Sequence, residues 1–169
     1  MTDTAEIIAG NDATRGRISE AKAEATDALN LAYELGEVPA AHGWDGVAAS
    51  MHTTRDTLEA LLSQLDEADQ AAATADNSLT EITSDFGKRE VAERLASVLQ
   101  QLDQVRGGID TATSSADDAR QACLQAGEPH ELLQILQVVY DDLGEARQSV
   151  EKTKTTTESE RQAAETWGD

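Results

Sequence analysis

The most constraining feature of this chain is a long alternation of small and apolar residues at steps of four and three. It is longest from Val91 to Ala126, where no step is missed. This spacing places all of these residues on one side of an α-helix, as in the a and d positions of a coiled coil. We call such a row a seam, and this one consists of residues 91, 95, 98, 102, 105, 109, 112, 116, 119, 123 and 126.

Three other segments have the same spacing, which predicts four helices of about 35 to 40 residues, each roughly 55 Å long. Gly36 with Pro39, then Gly87, then Gly127 with Pro129 lie between the segments, where helix ends are expected. The three seams are Ile18, Ala21, Ala25, Ala28, Ala32 and Leu35; Met51, Thr54, Leu58, Leu61, Leu65, Ala68, Ala72, Ala75, Leu79, Ile82 and Phe86; and Leu132, Leu136, Val139, Leu143, Ala146, Val150, Thr153 and Thr157.

If two successive helices are antiparallel, the residue numbers of each pair that faces across them must add up to nearly the same value. The four seams satisfy this condition. Large side chains then face small ones, as dense packing requires. Ile18, Leu65, Ile109 and Val150 fall at one height, so we expect them to share a core layer. The sequence predicts an all-α fold, an up-down-up-down antiparallel four-helix bundle of coiled-coil type. Two hairpins that dimerise between chains are the alternative.

Two parts of the chain are similar to each other. Residues 16–39 resemble 107–129 in their small residues and in a shared Gly-Glu ending before a proline. We interpret residues 1–169 as one domain made of two tandem hairpin repeats, 1–86 and 88–169.

The net charge limits the partners. With 33 acidic and 13 basic residues the chain carries a formal charge of −20, which disfavours nucleic acids and anionic membranes. We expect neutral or basic protein partners, no membrane insertion, and a monomeric bundle or a dimer. The acidic N-terminal stretch does not match a Sec signal, so we expect a cytoplasmic protein, with export independent of Sec as the alternative.

Few residues suggest chemistry. His42, His52 and His130 fall near the same end of the bundle, close to Cys123. Imidazole and carboxylate groups can bind zinc, but the Glu-x-x-His pairs of di-iron bundles are absent, and we expect no metal site. No phosphate loop or catalytic triad pattern occurs, so we expect no enzyme activity and no cofactor.

Several seam positions are not apolar. Asn11, Thr54, Thr153, Thr157 and Glu160 either fix the register of the helices or mark a loose, hydrated end, and we favour the second. Within the third segment, the pair Gly107-Gly108 indicates a hinge, a close helix contact or local bending, and we favour bending.

Apolar residues beyond the needs of the seams accumulate at the end with the first and third connections. They are Leu133, Ile135, Val138 and Tyr140, next to the seam residue Leu132, and Trp44 in the first connection. These six side chains either pack together as core or present a surface to a partner helix. Asp45 is placed to cap the second helix.

The Trp44-Asp45-Gly46 turn between two helices resembles that of the WXG-type helical-hairpin proteins of type VII secretion, and both halves resemble Ala-rich actinobacterial hairpin proteins of unknown function. The resemblance covers about residues 1–86 and transfers only Trp44 and Gly46. It implies paired hairpins that form four-helix bundles and take part in export. The family's tyrosine with an acid four residues later is not reproduced, because Gly144 follows Tyr140 at that spacing.

We therefore expect a non-catalytic helical adaptor, a targeting or chaperone-like partner of a type VII-type secreted protein. The partner-binding residues would be Trp44, Gly46, Leu132, Leu133, Ile135, Val138 and Tyr140. A cytoplasmic structural or scaffold bundle without an export role is the alternative.

Overall fold

The computed structural model describes residues 3–127 and 129–166, which form four long α-helices and their connections. The helices are α1 (Thr4–Ala41), α2 (Asp45–Thr80), α3 (Lys88–Gln125) and α4 (His130–Thr166). They contain 38, 36, 38 and 37 residues, as the seams predict.

Each helix packs against two others, so the four helices occupy the corners of a square. α1 contacts α2 and α4, α3 contacts α2 and α4, and within the described ranges no contacts join the helices across the diagonals. Asn11 of α1 is hydrogen-bonded to Ala72 of α2. Tyr33, later in α1, is hydrogen-bonded to Glu59, earlier in α2, so the two helices run antiparallel. The predicted up-down-up-down bundle is confirmed, and it closes within one chain.

The seams form the core. All predicted seam residues of the four segments are buried except four at the segment ends, which are half-buried: Leu35, Ile82, Phe86 and Ala126. The four residues of the expected layer, Ile18, Leu65, Ile109 and Val150, are fully buried and belong to the same large core cluster.

A second, smaller cluster fills the bundle near the connection between α1 and α2. It combines large side chains of α2 and α4 with small ones of α1 and α3: Met51, Leu58, Leu132 and Leu136 with Ala28, Ala32, Ala119 and Cys123. The expected packing of large against small residues is therefore present, and it is what gives helical interiors their high density.

The first helix does not end where its glycine and proline indicate. Gly36 is buried inside α1, and Pro39 lies within the last turn, before the helix ends at Ala41. The turn is made at Gly43, whose φ of 71° is in the left-handed region that favours glycine. The carbonyl of Pro39 accepts a hydrogen bond from the Trp44 amide at 2.9 Å, which satisfies one of the free acceptors at the helix end.

The third helix ends as predicted, at Gln125, and Gly127 two residues later has a φ of 98°. The two glycines of the sequence repeat therefore differ in structure, because Gly36 continues a helix and Gly127 terminates one. The division into repeats 1–86 and 88–169 stays a prediction.

The preferred interpretation of the polar seam residues is wrong. Asn11, Thr54, Thr153 and Thr157 are at most 3% exposed, so they lie in the packed core and not at a loose end. The three threonine hydroxyls each donate to the carbonyl four residues earlier in their own helix, at 2.8 or 2.9 Å. Glu160 is half-buried and accepts a hydrogen bond from the Asp3 amide.

Asn11 bonds across helices instead. Its amide nitrogen donates to the Ala72 carbonyl at 2.8 Å and to the Asp76 carboxylate at 2.7 Å. Arg15 then links Asp76 to Asp69, at 3.4 and 3.0 Å. These polar contacts tie one height of α1 to one height of α2, which is the register-fixing role that buried polar seam residues have in coiled coils.

The glycine pair in α3 marks a close helix contact. A Cβ on Gly108 would lie 2.9 Å from the Cβ of Ala68 in α2, whereas one on Gly107 would meet nothing within 4 Å. α3 is continuously helical through both residues, and the structure supports the close-contact alternative at Gly108.

Candidate interaction surface around Trp44

Trp44 lies in the short connection between α1 and α2 and is largely exposed. Its exposed fraction is 57%, so the ring does not cap the core. Its aromatic neighbour is His42, with 5.3 Å between ring centroids and 36° between ring planes. The amide and Nδ1 of His42 both lie within hydrogen-bond distance of the Val38 carbonyl, which holds this connection against the end of α1.

The residues after Trp44 depart from expectation. Asp45 is the first residue of α2 and not its cap, and no side chain caps the helix at Trp44. Gly46, in the first turn of α2, is exposed, and a Cβ there would meet nothing within 4 Å. Neither a close contact nor a positive φ therefore requires glycine at this position.

The predicted residues of α4 divide into core and surface. Leu132 is fully buried in the second cluster, so its assignment to a partner-binding surface is wrong: as a seam residue it points to the bundle axis. Leu133 and Ile135 are half-buried and pack against the same cluster. Val138 and Tyr140, on either side of buried Val139, are 44% and 40% exposed.

All the exposed large apolar side chains of the described chain lie at one end of the bundle. We call this half, formed by residues 31–59 and 117–141, the Trp44 end. The exposed residues are Tyr33, Val38, Trp44, Leu124, Val138 and Tyr140. Tyr33, Val38 and Leu124 were not predicted. They lie outside the seams, on the sides of their helices that do not face the bundle axis.

At the opposite end the large apolar residues are covered. Ile82 and Phe86 are half-buried and pack against the main core cluster. The guanidinium of Arg94 also lies 4.4 Å from the centre of the Phe86 ring. An open cleft of about 420 Å³ borders these residues, lined on its other side by Ala163 and Ala164 of α4.

Each hairpin carries one tyrosine with an arginine over its ring at the Trp44 end. Arg55 of α2 lies 4.7 Å from the Tyr33 ring of α1, and Arg120 of α3 lies 6.0 Å from the Tyr140 ring of α4. The Tyr33 hydroxyl donates to the Glu59 carboxylate at 2.8 Å, and this hydrogen bond raises the pKa of Tyr33. Each tyrosine ring is thus covered on one face by an arginine of the other helix of its hairpin.

The Trp44 end is strongly acidic. Its two ranges contain ten Asp and Glu residues in sequence, against Arg55 and Arg120 as the only Lys or Arg. Both arginines already contact tyrosine rings. The surface therefore combines exposed apolar side chains with an uncompensated negative charge.

The histidines make local contacts. His52 Nε2 lies 3.3 Å from the Asp56 carboxylate, and His130 Nε2 lies 3.2 Å from the Gln134 amide nitrogen. In the described residues no three His, Cys, Asp or Glu side chains are grouped as metal ligands. Cys123 is buried, which raises the pKa of its thiol to about 11 and disfavours the thiolate that metal binding needs.

Comparison with protein-family models, curated proteins and solved structures finds no match to this chain. None of the described helices is long and apolar enough to cross a membrane.

Proposed function

We propose that the protein is a non-catalytic helical adaptor that binds a protein partner through the Trp44 end. One observation carries this proposal: the exposed large apolar side chains of the described residues are concentrated at that end. Scattered exposed apolar residues are normal in soluble proteins, but their concentration in one region is typical of interaction sites.

The types of residue support the same function. Tryptophan and tyrosine are enriched among the residues that dominate binding energy at interfaces, because they bury a large area with few rotatable bonds. Trp44, Tyr33 and Tyr140 are three of the four aromatic residues in the described part of the chain, apart from histidine, and all three are exposed. The buried core of the same region, which includes Leu132, gives these side chains a firm base.

A narrower form of the proposal is that the partner is a type VII-type secreted protein, which this protein targets or accompanies. It rests on the resemblance at Trp44 and Gly46. Gly46 supports it in one respect, since the fold itself does not require glycine there. A scaffold bundle without an export role is the outcome to expect if no partner binds this end.

The test is to place a photo-crosslinking amino acid at position 44 in the source cells, identify the crosslinked protein, and measure its binding to the purified bundle. The double variant Trp44→Ala and Tyr140→Ala should weaken binding at least tenfold. Its melting temperature should remain close to that of the wild type, because exposed substitutions usually change stability by less than about 0.5 kcal/mol.

The matched control is Thr83→Ala, an exposed change in the connection at the opposite end. It should leave both binding and melting temperature unchanged. Equal binding by the wild type and the double variant would contradict the proposal, and so would a large loss of stability in the double variant.

A further inference from the structure

Arginine covers every aromatic ring of Phe and Tyr in the described residues. Arg55 lies over Tyr33, Arg94 over Phe86 and Arg120 over Tyr140, at 4.7, 4.4 and 6.0 Å from the ring centres. A cation over the face of an aromatic ring is attracted by the negative charge density of that face.

Trp44 is the exception. Indole is the strongest of the aromatic acceptors for a cation, yet no Lys or Arg of the described residues lies over this ring. From residue 23 to residue 54 the chain contains neither Lys nor Arg, so no cation close in sequence can reach it. The ring is also the most exposed large apolar side chain of the described chain.

The surroundings of Trp44 favour a positive charge. Asp45 follows it directly, and Glu34, Glu37 and Asp56 lie in the same half of the bundle. The net charge of −20 strengthens the attraction of cationic groups and opposes the approach of a second copy. An external cation at Trp44 would bind the ring face and would be attracted by the excess of acidic residues at the Trp44 end.

We propose that Trp44 binds an arginine or lysine side chain of the partner, presented on a basic amphipathic helix that packs against the connection between α1 and α2. This inference rests on the proposed function and specifies the chemistry of its partner. The apolar face of such a helix would pack on Val38, which is 55% exposed in the last turn of α1 beside this connection, and its cations would face the acidic residues of the Trp44 end.

The experiment uses the full chain with Trp167→Phe, so that Trp44 is the only tryptophan. Its fluorescence is titrated at physiological salt with a synthetic amphipathic helical peptide of leucine, alanine and arginine. The comparison peptide replaces each arginine by citrulline, which keeps the size and shape of the side chain but removes its charge. We expect the arginine peptide to change the Trp44 emission and to bind at least tenfold more tightly than the citrulline peptide.

Two variants locate the contact. Trp44→Leu keeps an apolar side chain but removes the ring. It should weaken the binding of the arginine peptide about three- to thirty-fold, the range for a cation–π contact. Phe86→Leu makes the same kind of change at the opposite end of this acidic molecule. It should alter the affinity less than twofold, and binding in these variants is followed by fluorescence of a labelled peptide.

Equal affinity for the arginine and citrulline peptides, or no binding of either, would overturn the inference. So would equal losses in Trp44→Leu and Phe86→Leu, which would indicate attraction by net charge alone. Self-association of the free protein that is lost in Trp44→Leu would assign the surface to a second copy. The proposed function fails separately, if the crosslinked partner binds the Trp44→Ala and Tyr140→Ala variant unchanged.

Discussion

Asp142 lies in surroundings that disfavour its charged form. It lies half-buried on α4, and burial raises its pKa, as do the nearby acids Glu20, Glu145 and Glu24. The positive charge of Arg17, which pairs with Glu20 and Glu145 at 2.9 and 2.8 Å, lowers the pKa of Asp142 and so opposes this effect. The raised pKa means that the folded state binds the Asp142 proton more tightly than the unfolded state does.

This sign predicts how stability depends on pH. The contribution of Asp142 to stability is fully present below its unfolded pKa of about 3.9 and is lost as pH rises through the higher folded pKa. Asp142→Asn should therefore be more stable than the wild type at pH 7, by about 0.2–0.5 kcal/mol, the typical size of a like-charge effect on a helix surface. The difference should vanish near pH 3, where Asp142 is protonated in both states.

Thermal unfolding at the two pH values measures this difference. Asp118→Asn is the control, because it removes one negative charge from an exposed position on α3. A gain at pH 7 that is the same in both variants would trace the effect to net charge and not to the site of Asp142.

At the scale of the helices, α2 and α3 come closest where Gly108 meets Ala68. A side chain at Gly108 would enter space that Ala68 already occupies, with 2.9 Å between the two Cβ atoms, whereas Gly107 faces open space. Position 108 therefore requires glycine, whereas position 107 has room for a side chain. Both glycines lower helix propensity by about 1 kcal/mol relative to alanine.

The matched pair of variants tests this contact. Gly107→Ala should stabilise the protein by about 0.5–1 kcal/mol, because alanine loses less backbone entropy on folding. Gly108→Ala should destabilise it, because overpacking typically costs about 1–3 kcal/mol and exceeds the gain in propensity. Urea unfolding followed by circular dichroism measures the free energy of unfolding of both variants. Stabilisation by Gly108→Ala would show that α2 and α3 can move apart at this contact without a loss of stability.

At the scale of the whole molecule, negative charge dominates the electrostatics. Most ion pairs of the described residues join exposed side chains, and such pairs contribute little to stability. The chain has 33 acidic and 13 basic residues, and its negative charges repel one another more strongly in the compact state than in the unfolded chain.

We therefore expect salt to stabilise the bundle. Raising NaCl from about 0.02 to about 0.5 M shortens the screening length from roughly 20 Å to about 4 Å and should raise the melting temperature at pH 7. Near the sequence pI of 4.3 the same change should have little effect, because the net charge is then close to zero. A melting temperature that falls with salt at pH 7 would mean that the ion pairs outweigh the repulsion.

The core and the register were predictable because both depend on position along a helix. The four-three spacing identifies the positions that face the bundle axis, and the constant sums of residue numbers predict which of them face each other. Ile18, Leu65, Ile109 and Val150 could therefore be assigned to the core from the sequence. The role of Asn11 was not predictable, because the same polar residue fits a packed core or a wet end. Its partners Ala72 and Asp76 decide between them, and they lie on another helix.

The sequence by itself determined the helix count, the antiparallel order and the buried face, since periodicity and turn residues are local properties of the chain. Only the tertiary structure decided which residues beside the seams are exposed, because their burial depends on where the side chains of the neighbouring helices lie. Leu132 and Trp44 belong to the same predicted site, yet one is fully buried and the other is 57% exposed. That Arg55, Arg94 and Arg120 lie over other aromatic rings, and that no Lys or Arg of the described residues lies over Trp44, also follows only from the three-dimensional structure.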